Sequence, residues 1–252
     1  MFGSPEESHN HSREVLDIIE TFYEFMISVG TVADMGGGNG LDAEWWATRE
    51  TDPEVDTTGR AQPLNIKSFV IDTIDKLSVS HKNLTHIKVD MENTDILLES
   101  YDVITSHDAF QQCISPVTTL KHWWELANPN AMLILQIPQT TNIKYNKHDI
   151  SILSSEYYHY TLVNLIYMLA VNGWDCKNGM FTKGLQDPWI KAVVYKGEVN
   201  PMNPRTTSWR DLAELDLLSD SAVDSINRWG YVKQQDLVLP WFNGHLDSYK
   251  TH

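Results

Sequence analysis

Thr31-Val-Ala-Asp-Met-Gly-Gly-Gly-Asn-Gly40 sets a short apolar run against an acid and then a burst of glycines. Val32 and Ala33 have the character of the end of a buried strand. Gly36, Gly37, Gly38 and Gly40 predict a turn whose missing Cβ atoms let a ligand press against bare backbone. Leu41-Asp-Ala-Glu-Trp-Trp-Ala47 continues as a helix, whose first free N–H groups face back toward that ligand. Strand, glycine turn and helix in this order predict a nucleotide-type pocket.

The spacing narrows the ligand. A dinucleotide fingerprint needs G-x-G-x-x-G. Starting at Gly36 its last position falls on Leu41, and starting at Gly38 it falls on Ala43, so the register fails. A phosphate-binding P-loop needs Gly-Lys-Ser/Thr, whereas Gly40 is followed by Leu41 and Asp42. What remains is Asp34-x-Gly36-x-Gly38-x-Gly40, with an acid ahead of the glycines, an arrangement suited to a positive amino end rather than a phosphate. This pattern resembles the first motif of the class I S-adenosylmethionine-dependent methyltransferases. The resemblance implies S-adenosylmethionine as cofactor, with Asp34, Gly36, Gly37 and Gly38 near its methionine end.

Three later segments fall in the order that the resemblance requires. Ser68-Phe-Val-Ile71 is a short apolar strand ending on Asp72, and an acid there accepts both hydroxyls of a ribose in nucleotide-binding α/β folds. Asp75 competes for that role, but Asp72 follows the apolar run without a gap; Thr73 joins it as a cofactor contact. Thr85-His-Ile-Lys-Val89 is a third strand leading to Asp90 and Met91, which the resemblance pairs on the adenine, the acid at its amine and the thioether over its ring. Tyr101-Asp-Val-Ile-Thr105 is a fourth strand, followed by a loop over Ser106-His-Asp-Ala-Phe-Gln-Gln112. That loop resembles the one that small-molecule methyltransferases of the ubiquinone-biosynthesis type place between cofactor and substrate, which implies Ser106 and His107 as cofactor contacts. His107 or Asp108 is then the expected general base, since imidazole titrates near neutrality and a carboxylate polarises a hydroxyl or amine. Cys113 follows glutamine rather than proline, so it is not expected to be a nucleophile.

Around these strands the periodicity predicts a helix from Ser12 over Val15, Leu16, Ile18, Ile19, Phe22, Phe25 and Met26, stopped by Gly30. Tyr23 on that helix is a candidate contact at the substrate mouth. Glu50 to Pro63 is an acidic surface insertion. A helix from Pro116 to Leu126, a turn over Asn128-Pro-Asn-Ala131 and a strand over Met132-Leu-Ile-Leu-Gln-Ile137 follow. Gln139, Tyr157, Tyr158 and His159 lie beyond that strand, over the edge where ligands bind in such folds, and form the expected substrate wall. A helix over Thr161 to Asn172, a strand from Trp174 and a last, antiparallel strand over Trp189 to Tyr195 complete the pattern. The expected fold is a Rossmann-like three-layer α/β/α sandwich with a seven-stranded, mostly parallel sheet and a C-terminal extension. Residues 1–198 form the methyltransferase-like domain. Residues 199–252 carry helices from Ser208 and Asp220 and an apolar hook, Leu237-Val-Leu-Pro-Trp-Phe242, packed on the domain or used for a homo-oligomer contact.

Composition bounds the function. A formal charge of −15 over 252 residues argues against a nucleic-acid partner held by phosphate neutralisation. The substrate is expected to be a small molecule. Two cysteines and the absence of a His-Glu-x-x-His spacing predict neither a disulfide framework nor a metal. No apolar run reaches membrane-span length, and Met1-Phe-Gly-Ser-Pro-Glu-Glu-Ser lacks a signal-peptide pattern, so a cytoplasmic protein is expected. The leading expectation is methyl transfer to an O, N or C atom. A non-catalytic assembly or regulatory module with this fold is the alternative, and a nicotinamide oxidoreductase is disfavoured by the glycine register.

Overall fold

Alternation of apolar side chains builds a sheet that is covered on both faces, and the sheet places every strand end named above along one edge. A computed structural model describes residues 15–16, 19, 26, 28–50, 62–93, 100–139, 158, 160–182, 189–239 and 241–242. In chain order these give β1 (Thr31–Met35), α1 (Leu41–Ala47), β2 (Lys67–Asp72), β3 (Leu84–Lys88) and β4 (Tyr101–His107). They continue with α2 (Pro116–Leu126), β5 (Ala127–Pro138), α3 (Leu162–Val171), β6 (Trp174–Thr182) and β7 (Trp189–Lys196). The C-terminal part contributes α4 (Trp209–Glu214), α5 (Asp220–Trp229) and β8 (Trp241–Phe242).

The strand order is β3-β2-β1-β4-β5-β7-β6-β8. From β3 to β5 all neighbours are parallel, while β7 runs antiparallel to both β5 and β6. The mostly parallel sheet with one antiparallel strand is as expected, and the antiparallel strand is inserted between β5 and β6. The order reverses between β1 and β4, the switch point at which open α/β sheets bind ligands beyond the carboxyl ends of their strands.

Successive residues of a strand face opposite sides. Ala33, Ile104, Leu133 and Leu135 are buried with Leu120 and Trp123 of α2 and Leu165 and Leu169 of α3. Val32, Val103, Met132, Ile134 and Val193 are buried on the other side with Trp45 and Trp46 of α1 and with Val15, Leu16 and Ile19 of the N-terminal segment. Val15, Leu16, Ile19, Met26 and Ser28 are helical, as the periodicity predicts. Tyr23 lies outside the described residues.

Two expectations need correction. Ser106 and His107 are not loop residues: β4 continues through both, paired with Leu135 and Gln136 of β5. Residues 128–131 are not a turn before β5 but part of it. The partner of Tyr101 is Ala127 and that of Val103 is Met132, so these residues form a bulge, with Asn130 at φ 62 and Asn128 donating to Asp102 at 2.7 Å. Beyond the seven expected strands, Trp241 and Phe242 of the apolar hook add a two-residue edge strand that pairs with Phe181 and Thr182 of β6.

The helix ends were written locally. Thr161 accepts from the Asn164 N–H, and Ser208 and Asp211 form a reciprocal capping box. Gly173 and Gly230 turn the chain at φ 80 and 82 after α3 and α5. Leu212, Leu218, Ala222, Ile226 and Leu237 of the C-terminal part are buried in one cluster with the strands. Among the described residues no helix is long and apolar enough to cross a membrane, and no His, Cys, Asp or Glu group is arranged to hold a metal ion. Cys113 and Cys176 are free and buried, and burial pushes the Cys113 thiol up to about 12.

Candidate functional site

The glycine turn is held by its own backbone. The Gly36 N–H donates to the Ile71 carbonyl at 2.8 Å, and the Gly40 N–H to that of Gly37 at 2.9 Å. Gly36 and Gly38 have φ of 72 and 51, a region that L-residues enter at a cost. A Cβ on Gly36 would lie 2.4 Å from the Ala109 methyl, and one on Gly37 would lie 2.5 Å from Asp34 Oδ2. A Cβ on Gly38 would meet nothing within 4 Å. The first two glycines are therefore demanded by the protein itself, and the third leaves room beside the chain.

That room belongs to a cavity of about 420 Å³ at the carboxyl ends of β1, β2 and β4. Its lining is Gly36 and Gly38 of the glycine turn, Ile71, Asp72 and Thr73 at the end of β2, Asp90, Met91 and Glu92 after β3, and Asp108, Ala109, Gln112 and Ile114 after β4. Asp72 is fixed at both oxygens: Oδ2 accepts the Gly38 N–H at 2.8 Å and Oδ1 that of Ile74 at 3.0 Å. Asp75 is instead 91% exposed, paired with Lys88, and not among the residues that line the cavity. Asp90 Oδ1 accepts the Glu92 N–H at 2.9 Å, and the Met91 carbonyl accepts from the Trp123 indole at 3.1 Å, so the loop after β3 is tied to α2.

Among the described residues the lining carries four carboxylates, those of Asp72, Asp90, Glu92 and Asp108, and no Lys, Arg or His. Such a wall repels a diphosphate and attracts a cation.

Behind the turn lies a buried polar cluster. Asp34 is 1% exposed; its Oδ1 accepts the Thr105 hydroxyl at 3.1 Å, and its Oδ2 has no hydrogen-bond partner. Burial first, and Asp42 second, raise its pKa to about 7 against the opposing pull of His107 and Thr105. His107 Nδ1 lies 2.6 Å from Asp42 Oδ2, and its Nε2 is buried without a partner. Burial alone would lower the imidazole's pKa, but Asp42, with smaller help from Asp34 and Asp108, outweighs it and raises it. Ser106 is fully buried with an unpartnered hydroxyl. Neither Ser106 nor His107 is among the residues that line the cavity, whereas Asp108, at φ 54, is. The cavity thus gathers Gly36, Gly38, Asp72, Thr73, Asp90, Met91 and Asp108, and leaves Asp34, Gly37, Ser106 and His107 just behind it.

Of the expected substrate wall, Gln139 is buried and bridged to Tyr160. Tyr158 is 41% exposed, and its hydroxyl donates to the Ile114 carbonyl at 3.1 Å beside the cavity. Tyr157 and His159 lie outside the described residues.

Sequence reasoning missed Glu92 and Asp42. Glu92 accepts the N–H groups of Ile114 and Ser115, both at 2.8 Å, so it caps the approach to α2 while facing the cavity. Its only sequence signal is its place two residues after Asp90. Asp42 is an acid in the first turn of α1, a position that ordinarily reads as a helix-dipole partner; its link to His107 spans 65 residues and has no local signature.

No protein-family model and no curated protein matches the sequence. Solved structures do match. A chain from the complex of the Haloferax volcanii Trm112 methyltransferase activator with a methyltransferase superposes with a TM-score of 0.52 at 12% identity, over 75% of this chain and 95% of that one. The plantazolicin methyltransferase BpumL, solved with a monoazolic desmethylPZN analog and SAH, gives 0.52 at 14% identity, over 77% and 88%. A Listeria monocytogenes protein assigned as an S-adenosylmethionine-dependent methyltransferase gives 0.50 at 16%, over 68% and 93%. The fold is that of the class I methyltransferases. Within that methyltransferase fold, the acid-lined cavity sits at the reversal of strand order between β1 and β4.

Proposed function

We propose that the protein is an S-adenosylmethionine-dependent methyltransferase acting on a small-molecule acceptor. One observation carries this reading: among the described residues, the charged groups lining the cavity over Gly36 and Gly38 are all carboxylates, set beyond the ends of β1, β2, β3 and β4 in the methyltransferase fold. The residues present suit that cofactor. The space beside Gly38 admits a ligand against backbone, the orphaned Asp34 oxygen favours positive charge nearby, and the lining rejects the diphosphate of a nicotinamide cofactor.

Asp72 would take the ribose hydroxyls. Its two oxygens already accept one N–H each, and a carboxylate offers about four lone-pair sites, so two remain. Asp90 and Met91 would hold the adenine, Thr73 would flank the ribose, and Asp34 and the turn Gly36-Gly37-Gly38 would stand at the amino end. S-adenosylmethionine supplies a methyl group activated on a sulfonium sulfur. The chain's part is to fix two reactants in line and exclude water, which is worth at most roughly 7–11 kcal/mol of barrier. Asp108, rather than His107, is the member of the expected base pair that reaches the cavity, so we assign to it the polarising of an acceptor O–H or N–H. Gln139 and Tyr158 stand on the acceptor side. Residues 199–252 are an extension of the methyltransferase unit formed by residues 1–198, joined to it by the burial of Leu212, Ala222 and Ile226 against that unit's core.

Titration calorimetry with S-adenosylmethionine and with NADH tests the reading. Micromolar binding of the first and none of the second is expected; binding of neither, or of NADH alone, refutes it.

A further inference from the structure

Asp34 stands apart from the cavity's own acids. It lies directly beneath the glycine turn, because Oδ2 occupies the space a Gly37 side chain would need, and it is fully enclosed. A buried charge acts through a low dielectric, whereas the acids facing the cavity are screened by water. Every titratable group around Asp34 bears on whether it is charged. Asp42 from α1 and Asp72 from the end of β2 oppose its ionisation, and His107 from β4 favours it, with the Thr105 hydroxyl adding a hydrogen bond; Asp108 in turn favours the protonated form of His107. One oxygen remains without a partner.

We propose that Asp34 sets the selectivity between the sulfonium cofactor and its neutral thioether product, S-adenosylhomocysteine: ionised, it favours the extra positive charge in the adjoining cavity, and protonated it does not. This rests on the function proposed above. S-adenosylmethionine and S-adenosylhomocysteine differ by one methyl group and one unit of charge, so the difference in their affinities isolates the electrostatic part of binding. The cation in turn favours loss of the Asp34 proton, and binding and proton release are linked.

Burial and Asp42 push this carboxyl up to about 7 in the free protein, which places the pH window near neutrality. If the sulfonium lowers its proton affinity about tenfold, the preference for S-adenosylmethionine over S-adenosylhomocysteine rises about fourfold between about pH 6 and 7.5, with release of about 0.4 proton at pH 7. Calorimetric titration of both ligands across that range, repeated in two buffers of different ionisation enthalpy, reads both quantities. In Asp34→Asn, which keeps the shape and removes the titration, the ratio becomes flat with pH. Thr105→Val removes a hydroxyl that favours the ionised form and moves the rise to higher pH, which gives the test a second variant should Asp34→Asn fail to fold. A ratio that does not change with pH in the wild type, or that rises equally in Asp34→Asn, overturns the inference while leaving the cofactor assignment standing. Failure of both ligands to bind overturns the assignment itself.

Discussion

Gly36 and Gly38 both turn the chain through positive φ, yet replacing them with alanine should do different things. Each substitution costs about 1–2 kcal/mol for putting an L-residue in the left-handed region. For Gly38 that is the whole cost to the fold, because a Cβ there meets no atom within 4 Å. For Gly36 the new methyl arrives 2.4 Å from the Ala109 Cβ and 3.0 Å from Met91 Sδ, and the first of these is anchored to backbone. Relieving that overlap means parting β1 from the segment after β4, an overpacking cost of about 1–3 kcal/mol more. At roughly 2–4 °C per kcal/mol for a chain of this size, Gly36→Ala should lower the thermal midpoint by about 4–20 °C and Gly38→Ala by about 2–8 °C. Binding should order them the other way per degree lost. The Gly38 methyl projects into space that belongs to the cavity, so a well-folded Gly38→Ala protein should lose S-adenosylhomocysteine binding. Differential scanning calorimetry and titration calorimetry on the two variants provide the comparison. If Gly36→Ala is no less stable than Gly38→Ala, or Gly38→Ala binds as the wild type does, the division of labour within the turn is refuted.

Two further outcomes are expected. Asp72→Ala removes a charged acceptor worth about 1.5–3 kcal/mol to a ligand hydroxyl, so cofactor affinity should fall about 10- to 100-fold; the thermal midpoint, measured alongside, separates this from loss of the Gly38 and Ile74 contacts, and unchanged affinity would take Asp72 off the ribose. The pKa of His107 is raised in the fold, so the stability it gains from Asp42 is fully present below its unfolded value and disappears as pH rises through the higher, folded one. Asp34, also raised, adds a loss of stability in the same direction through neutral pH. Thermal midpoints should therefore decline from mildly acidic to mildly alkaline pH, and Asp42→Asn should flatten that decline; an unchanged slope in the variant would dissociate the pair from stability.

The fold was legible where each constraint is local and repeated. Strands β1, β2, β4 and β7 are each one short apolar run, and a run that is buried on both faces needs no partner information to be read. The caps at Thr161 and Ser208 and the stops at Gly173 and Gly230 are likewise dictated by residues within a turn of the boundary. What misled was structure imposed across the sheet. Ser106 and His107 look like loop residues because they are polar, but pairing with Leu135 and Gln136 extends β4 through them. Asn128-Pro-Asn has turn chemistry and does bend the chain, yet the bend is a bulge between two registers of one strand. The eighth strand consists of two residues whose strand character comes entirely from β6.

For the site the division is sharper. Residues that meet the cavity through a strand end, Asp72, Asp90 and Met91, could be placed because a strand end has a fixed position in the fold. Those whose environment is built by side chains from distant segments could not. His107 invited the role of base on its intrinsic pKa, but that argument assumed a solvated imidazole with a free nitrogen facing the ligand. In the structure Asp42, 65 residues earlier, occupies Nδ1 and favours the protonated form, and a protonated imidazole cannot accept the acceptor's proton. The same contact ties the helix after the glycine turn to the end of β4. Asp108, next in sequence, lines the cavity because the strand ends before it: at φ 54 its backbone leaves the extended region, and its Oδ1 accepts the Gln111 side-chain amide at 2.7 Å. Which of two adjacent polar residues lines the cavity thus follows from where β4 stops, and β4 stops at His107, its last pairing with Gln136 of β5, a register that the sequence alone could not count.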